Sequence, residues 1–170
     1  MRLSLREQPV LKSVVYSAVC LGIMLFSYSF FPTLLDFAGT PNLLVAIVSA
    51  LALFEGPKYA SFFALIFSVL ETLINGTNTL IYPVFYTVFA ILCTWLFESF
   101  FVKNYFAWLC YTLGGLFVYA VISLFAPVAN WGIAAGDILT QSTLPSFFIS
   151  ALFSLFIYPM FKTLKRKTDK

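Results

Sequence analysis

The ten cationic residues of this chain fall only near its two ends and in two short interior turns, and everything between them is dominated by long apolar stretches. Arg2, Arg6 and Lys12 lie at the front, Lys58 and Lys103 in the turns, and Lys162, Lys165, Arg166, Lys167 and Lys170 in the tail. Threaded as six spans, the chain keeps every one of them on the same side of a membrane. Basic residues flanking spans stay cytoplasmic, because carrying them across during insertion is unfavourable. The pattern predicts an all-α integral membrane protein with six transmembrane helices, a single polytopic domain over residues 1–170 and both termini cytoplasmic. Composition points the same way: 61 % hydrophobic and 10 % charged residues leave too little polar surface to cover a water-soluble globule of this length. The net charge of +3 comes from the tail, which suits weak attraction to anionic inner-leaflet lipid and gives no support to a nucleic-acid partner.

Proline divides the apolar sequence, since it is tolerated in a first helical turn and disfavoured in a helix interior. Pro9 opens the first span and Pro32 closes it; Pro41 opens the second and Pro57 the third. Pro127 follows the fifth, Pro145 opens the sixth and Pro159 ends it, while Pro83 falls early in the fourth. The expected spans cover residues 9–31, 41–54, 57–74, 80–97, 105–125 and 144–161. The second is short against the roughly 20 residues that cross about 30 Å. It either reaches back toward Phe37, lies in a thinned bilayer, or pairs with the third as a re-entrant hairpin. The first has cations ahead of it like a signal peptide but lacks an A-x-A site, and reads as an uncleaved span. Residues 126–143 form the only sizeable loop, expected to lie in the outer interface. Tyr59, Trp95, Tyr105, Trp108 and Tyr158 fall near inner span ends, and Tyr28 and Tyr82 near outer ones, as interfacial aromatics do.

The chemical inventory is narrow. No histidine is present, which excludes Ser-His-Asp and Cys-His arrangements and the H-E-x-x-H zinc site. Cys20, Cys93 and Cys110 lack metal-binding spacing and read as small apolar residues, and Gly114-Gly115 reads as close helix packing. No catalytic, cofactor or metal site is expected. Glu71 is the exception to this plainness, standing 13 residues beyond Lys58, or ~20 Å up a helix of 1.5 Å rise. An acid at that depth costs about 2.5–3.5 kcal/mol on insertion scales. It is either a protonated or interface-reaching carboxyl at a helix end, or a buried contact that fixes packing or receives a partner helix. Ser68 and Asn75 share its helix face and Thr72 adjoins it. Ala60, Ala64, Ser68 and Thr72 recur every four residues on the third span, as do Ser146, Ser150 and Ser154 on the sixth. Such small ridges let helices approach closely, and both are expected to serve as helix-packing or partner-binding seams.

Thr40-Pro41-Asn42-Leu43-Leu44, continuing through Ala50-Leu51-Ala52-Leu53-Phe54 to Gly56-Pro57, resembles the second span and following turn of the MreD family of rod shape-determining membrane proteins. Glu71 followed by Gly76, Leu80 and Tyr86 is similar to that family's acidic residue, glycine and next span. Leu144-Pro145-Ser146, running on to Tyr158-Pro159-Met160-Phe161-Lys162, looks like its last span. The chain departs from the family pattern with Glu71 in place of Asp, with Phe63 and Phe67 in place of glycines, and at Ser150, near which the family has Asn. The resemblance implies a non-enzymatic subunit of the cell-elongation machinery in the bacterial inner membrane, with no cofactor. Its expected partners are membrane lipid, a single-span MreC-like protein and, indirectly, RodA, penicillin-binding protein 2 and MreB filaments. The layout also resembles the substrate-binding S component of energy-coupling-factor vitamin transporters, whose bundle the MreD family is thought to share. That alternative needs an outward pocket, for which Asn75, Asn78, Asn130, Trp131 and Asp137 are candidates.

Overall fold

The computed structural model describes residues 9–34, 41–75, 80–99, 104–131 and 135–168. These are almost entirely helical: α1 Pro9–Leu34, α2 Leu44–Glu55, α3 Pro57–Ile74, α4 Ile81–Ser99, α5 Tyr105–Trp131, α6 Ala135–Ile138 and α7 Leu144–Thr168, with a π-helical stretch Leu139–Thr143 joining the last two. Five of the helical segments are long and apolar enough to cross a membrane. The exception is α2, at 12 residues only ~18 Å long.

That shortness has a structural answer, because α2 is the core. Every residue from Leu44 to Leu53 is buried. A helix apolar on all sides can only be stable surrounded, whether by lipid or by protein. Here α3, α4, α5 and α7 all pack against it. Ala46, Ser49, Ala50 and Ala52 keep its surface small enough for several neighbours at once. Backbone polar groups in a bilayer must be satisfied within the protein, and a short helix enclosed by longer ones meets that requirement despite its length.

Around it, α3 and α4 pair closely, as do α5 and α7. The outward faces are apolar, with Phe62, Leu65, Val69, Val84, Val88, Ile91, Val121, Phe148, Leu152 and Phe156 all exposed. Gly115 of α5 sits where an added Cβ would run into the Phe89 ring and Val45, so it sets the approach of α5 to α2 and α4. Gly114, next to it, faces open space. The expected close packing therefore belongs to only one of the two glycines.

Several expected boundaries are corrected. The first span runs past Pro32 to Leu34, the fifth past Pro127 to Trp131, and the sixth past Pro159 to Thr168. These prolines lie within helices rather than ending them, because freed backbone groups are re-satisfied locally and no water competes for them in an apolar setting. The supposed loop 126–143 is largely helical for the same reason; only residues 132–134 of it lie outside the described residues. Its π turn, in which the Leu144 amide bonds the Leu139 carbonyl, comes directly before Pro145 and carries one continuous helical course into α7. The second and fourth spans shift to Leu44–Glu55 and Ile81–Ser99, which leaves Pro83 in the first turn of α4, where its missing N–H has no helical partner to lose.

Between α2 and α3 the chain turns on one residue, Gly56, at φ 85° and ψ −175°. That backbone region is essentially restricted to glycine, and Pro57 then starts α3 with its φ already helical. Replacing Gly56 with Ala is expected to lower stability by about 1–3 kcal/mol. Gly114→Ala, facing open space in a helix, should not destabilise. Unfolding of both variants in detergent checks this, and an unchanged midpoint for Gly56→Ala refutes it.

Candidate functional site

The N-terminal end of α2 is the point where the bundle's polar side chains meet. Asn42 precedes the helix, and its side-chain oxygen accepts from the backbone amides of Leu44 and Val45 at 3.1 and 3.4 Å. This is the bonding of a helix cap, and it satisfies donors that the first turn leaves free. The side-chain amide points the other way. It donates to Glu71 Oε1 of α3 at 3.2 Å and to the Tyr86 hydroxyl of α4. The Asn42 backbone amide donates to Ser150 Oγ of α7 at 2.8 Å.

Further helices attach through the same residues. The Tyr28 hydroxyl of α1 donates to Glu71 Oε1 at 2.9 Å and accepts from Asn75 Nδ2 at 3.2 Å. Ser27, also on α1, donates to the Pro41 carbonyl at 2.7 Å. The Tyr119 ring of α5 lies 6.0 Å from that of Tyr86 and 5.7 Å from that of Tyr82. One asparagine and one glutamate thus collect contributions from α1, α2, α3, α4 and α7, with Tyr119 of α5 against the edge of the cluster. Glu71 is 4 % exposed, and its Oε2 has no partner among the described residues. A small cavity of about 10 Å3 beside it is lined by Met24, Ser27, Tyr28, Asn42 and Ile47.

A second polar cluster closes the opposite end of α2. Glu55 accepts from the Tyr16 hydroxyl at 2.8 Å and forms an ion pair with Lys12 at 2.5 Å. Lys165 of α7 donates to the Phe54 carbonyl, placing a cation on the negative end of the helix dipole. Lys12 and Lys165 therefore meet at one end of α2, and Lys58 follows in the first turn of α3. Their grouping agrees with the one-sided placement of charge. Arg2, Arg6, Lys103 and Lys170 lie outside the described residues.

The other expected site residues divide by role. Pro41 is buried beside Asn42. Ala60, Ala64 and Ser68 are fully buried, and Thr72 is half-buried, but the Ser68 and Thr72 hydroxyls bond back to Leu65 and Ser68 carbonyls of their own helix. That seam works by size, not by hydroxyls reaching across. Phe63 and Phe67 stack at 5.9 Å inside the same region. On α7, Ser150 and Ser154 are buried, and Ser154 bonds its own helix at Ala151. Ser146 and Pro145 are half-buried, and Ser146 lines a cavity described below. Tyr158 packs edge-on to Tyr105 at 4.9 Å and against Trp108 at 5.3 Å, while Pro159 is exposed. Trp108 is fully buried, so it is a core residue and not an interfacial anchor. Gly76 lies outside the described residues. The sequence reading missed Glu55, Ser27 and Tyr119, and took Tyr28 for an interface aromatic.

A further hollow adjoins the hub, and a larger one lies between α4 and α5. A polar cavity of about 200 Å3 lies between α5, the π segment and α7, lined by Asn42, Tyr119, Ser123, Thr143, Ser146 and Ser150. Of the residues expected to form an outward pocket, neither Asn75 nor Asp137 lines it. Asn75 is bonded to Tyr28, Asp137 is exposed on α6, and Asn78 and the side chains of Asn130 and Trp131 lie outside the described residues. The larger hollow is an open groove of about 1050 Å3 between α4 and α5, lined by Ile81, Val84, Val88 and Leu92 on one side and Cys110, Gly114 and Val118 on the other. Among the described residues no group of three or more His, Cys, Asp or Glu is placed to hold a metal. No protein-family model, curated protein or solved structure matches the chain.

Substituting Asn42 removes a helix cap, worth about 1 kcal/mol, and leaves a buried carboxyl short of a donor, worth about 1–3 kcal/mol. Asn42→Ala is expected to destabilise the protein by about 2–4 kcal/mol. Glu71→Ala should impair assembly or stability more than Leu70→Ala, whose side chain is only partly buried against the core. Unfolding midpoints and recovery of folded protein in detergent test both. Equal behaviour of the Glu71 and Leu70 variants would remove the case for the hub.

Proposed function

We propose that the protein is a non-enzymatic scaffold subunit of the bacterial cell-elongation complex, a six-span inner-membrane protein with both termini inside and an S-component-like bundle. It works by binding partner membrane proteins, first a single-span MreC-like protein and through it RodA, penicillin-binding protein 2 and MreB filaments, and so regulates cell shape and lateral peptidoglycan synthesis. The observation that carries this reading is the groove between α4 and α5.

Consecutive helices joined by a short connection ordinarily pack along their length. Here α4 and α5 diverge, and the gap between them is apolar and open to the membrane. From Cys110 to Ile122 its α5 side runs ~18 Å, more than half of a hydrocarbon core of about 30 Å. Gly114 gives the groove a floor with no side chain, and Cys93 and Cys110 add little bulk. Small residues of this kind let a second helix approach closely when no hydrophobic force favours the pairing. The buried hydroxyls, amide and carboxyls hold the chain's own helices together, which leaves surface complementarity as the working principle.

The polar cavity beside Asn42 favours a second reading, a substrate-binding S component of a vitamin transporter. It brings a tyrosine, an asparagine and several hydroxyls around one small space.

Gly114→Phe fills the groove without touching the core. It is expected to abolish co-purification of the single-span partner and to round rod-shaped cells, while the purified variant elutes and unfolds like the unsubstituted protein. Normal cell shape on depletion, together with a vitamin requirement, would replace the first reading with the second.

A further inference from the structure

The polar attachments of α1 to the bundle lie toward its two ends, Lys12 and Tyr16 on Glu55 and Ser27 and Tyr28 at the hub, while Cys20 and Met24 between them are buried in the core. Between these attachments, α1 and α7 face each other across a crevice. Its α1 wall is Val19, Gly22, Ile23 and Phe26, at spacings of three, one and three residues, which is one helix face. The α7 wall is likewise one face, running from Phe153 through Ile157 and Met160 to Leu164 and Lys167. Two hollows of about 410 and 490 Å3 make up the crevice, and they share Val19 and Met160. At Gly22 an added Cβ would meet nothing within 4 Å, so the two faces stand apart there.

We infer that this crevice is a binding site for one anionic phospholipid, with an acyl chain along the α1–α7 seam and the phosphate at Lys167. The argument is the polarity of the slot along its length. Phe26, Phe153, Ile157 and Met160 make the deep part wholly apolar, and a lysine stands at the mouth. From Phe153 to Lys167 the α7 wall measures ~21 Å, enough to run from the charged end beyond the ~15 Å of one leaflet. Phe26, Phe153 and Phe156 line one hollow and Lys167 the other, a lengthwise change from apolar to cationic that matches an anionic lipid better than an apolar helix. Of the other cations on this part of α7, Lys165 holds the Phe54 carbonyl, Lys162 lies 5.9 Å from the centre of the Tyr158 ring, and Arg166 does not line the hollow. Basic pockets between helices at the cytoplasmic side are where phospholipid head groups bind. The inference is independent of the scaffold reading and requires only that the lysine-bearing end of α7 meets the membrane surface.

Native mass spectrometry of the full chain in mild detergent tests it, with phosphatidylglycerol and phosphatidylcholine of identical acyl chains as probes. One phosphatidylglycerol per protein should be retained in preference to phosphatidylcholine. Lys167→Gln should lower its retention about fivefold, and Lys162→Gln should lower it less. Gly22→Phe, which plugs the slot, should abolish retention of both lipids, with size-exclusion elution reporting that the variant is intact. Equal retention of the two lipids overturns the site, as does an equal effect of the two lysine substitutions, which would make the attraction a property of the whole tail. Should Gly22→Phe fail to fold, the pair of lysine variants still decides.

Discussion

The bundle depends on the hydrogen bonds made by Asn42. Its side-chain oxygen caps α2, its side-chain amide holds Glu71 and Tyr86, and its backbone amide holds Ser150. In a membrane the hydrophobic effect does not favour one apolar packing over another, because lipid tails are as apolar as leucine. Directional bonds between helices then choose among the arrangements that packing allows. Each is worth only about 0.6 kcal/mol on average in such settings, so concentrating several on one residue matters more than any single one. The hub links elements as far apart in sequence as Tyr28 and Ser150.

The short helix between the two polar clusters gives the protein its organisation. Glu55 and Glu71 stand at opposite ends of α2, each gathering a tyrosine from α1. An acid that is expensive to place in an apolar medium is tolerated where neighbouring groups bond to it. With polar groups drawn to those two ends, the middle of α2 packs by size alone, apart from the bond between Ser49 and Thr112 at 2.8 Å. The surfaces left over are apolar: a groove of about 1050 Å3 with glycine in its wall between α4 and α5, and two adjoining hollows between α1 and α7 with a lysine at one end.

Much of the helical layout was legible in the residues. The third span was placed at 57–74, where α3 stands, because Gly56-Pro57 is a local signal that needs no partner to interpret. Ends marked by Pro32, Pro127 and Pro159 were misplaced, since proline's penalty depends on whether surrounding groups can take up the freed carbonyl, and that is a tertiary matter. Glu71 stood out by its depth, yet nothing near it in sequence announces Asn42, 29 residues earlier, as its donor. The small residues of α3 were visible as a seam, but the direction of their hydroxyls was not, because a serine or threonine in a helix can satisfy itself on its own backbone.

By itself the sequence determined that the chain folds as apolar helices, because hydrophobicity acts residue by residue and is legible without knowing any contact. Only the tertiary structure decided that the 12-residue helix α2 is the core, that Asn42 and Glu71 bind one another, and that α4 and α5 part to leave a groove. Those outcomes depend on which faces of distant helices meet, and among apolar faces that are nearly equal in energy, the choice is made by a few polar bonds whose partners lie far apart along the chain.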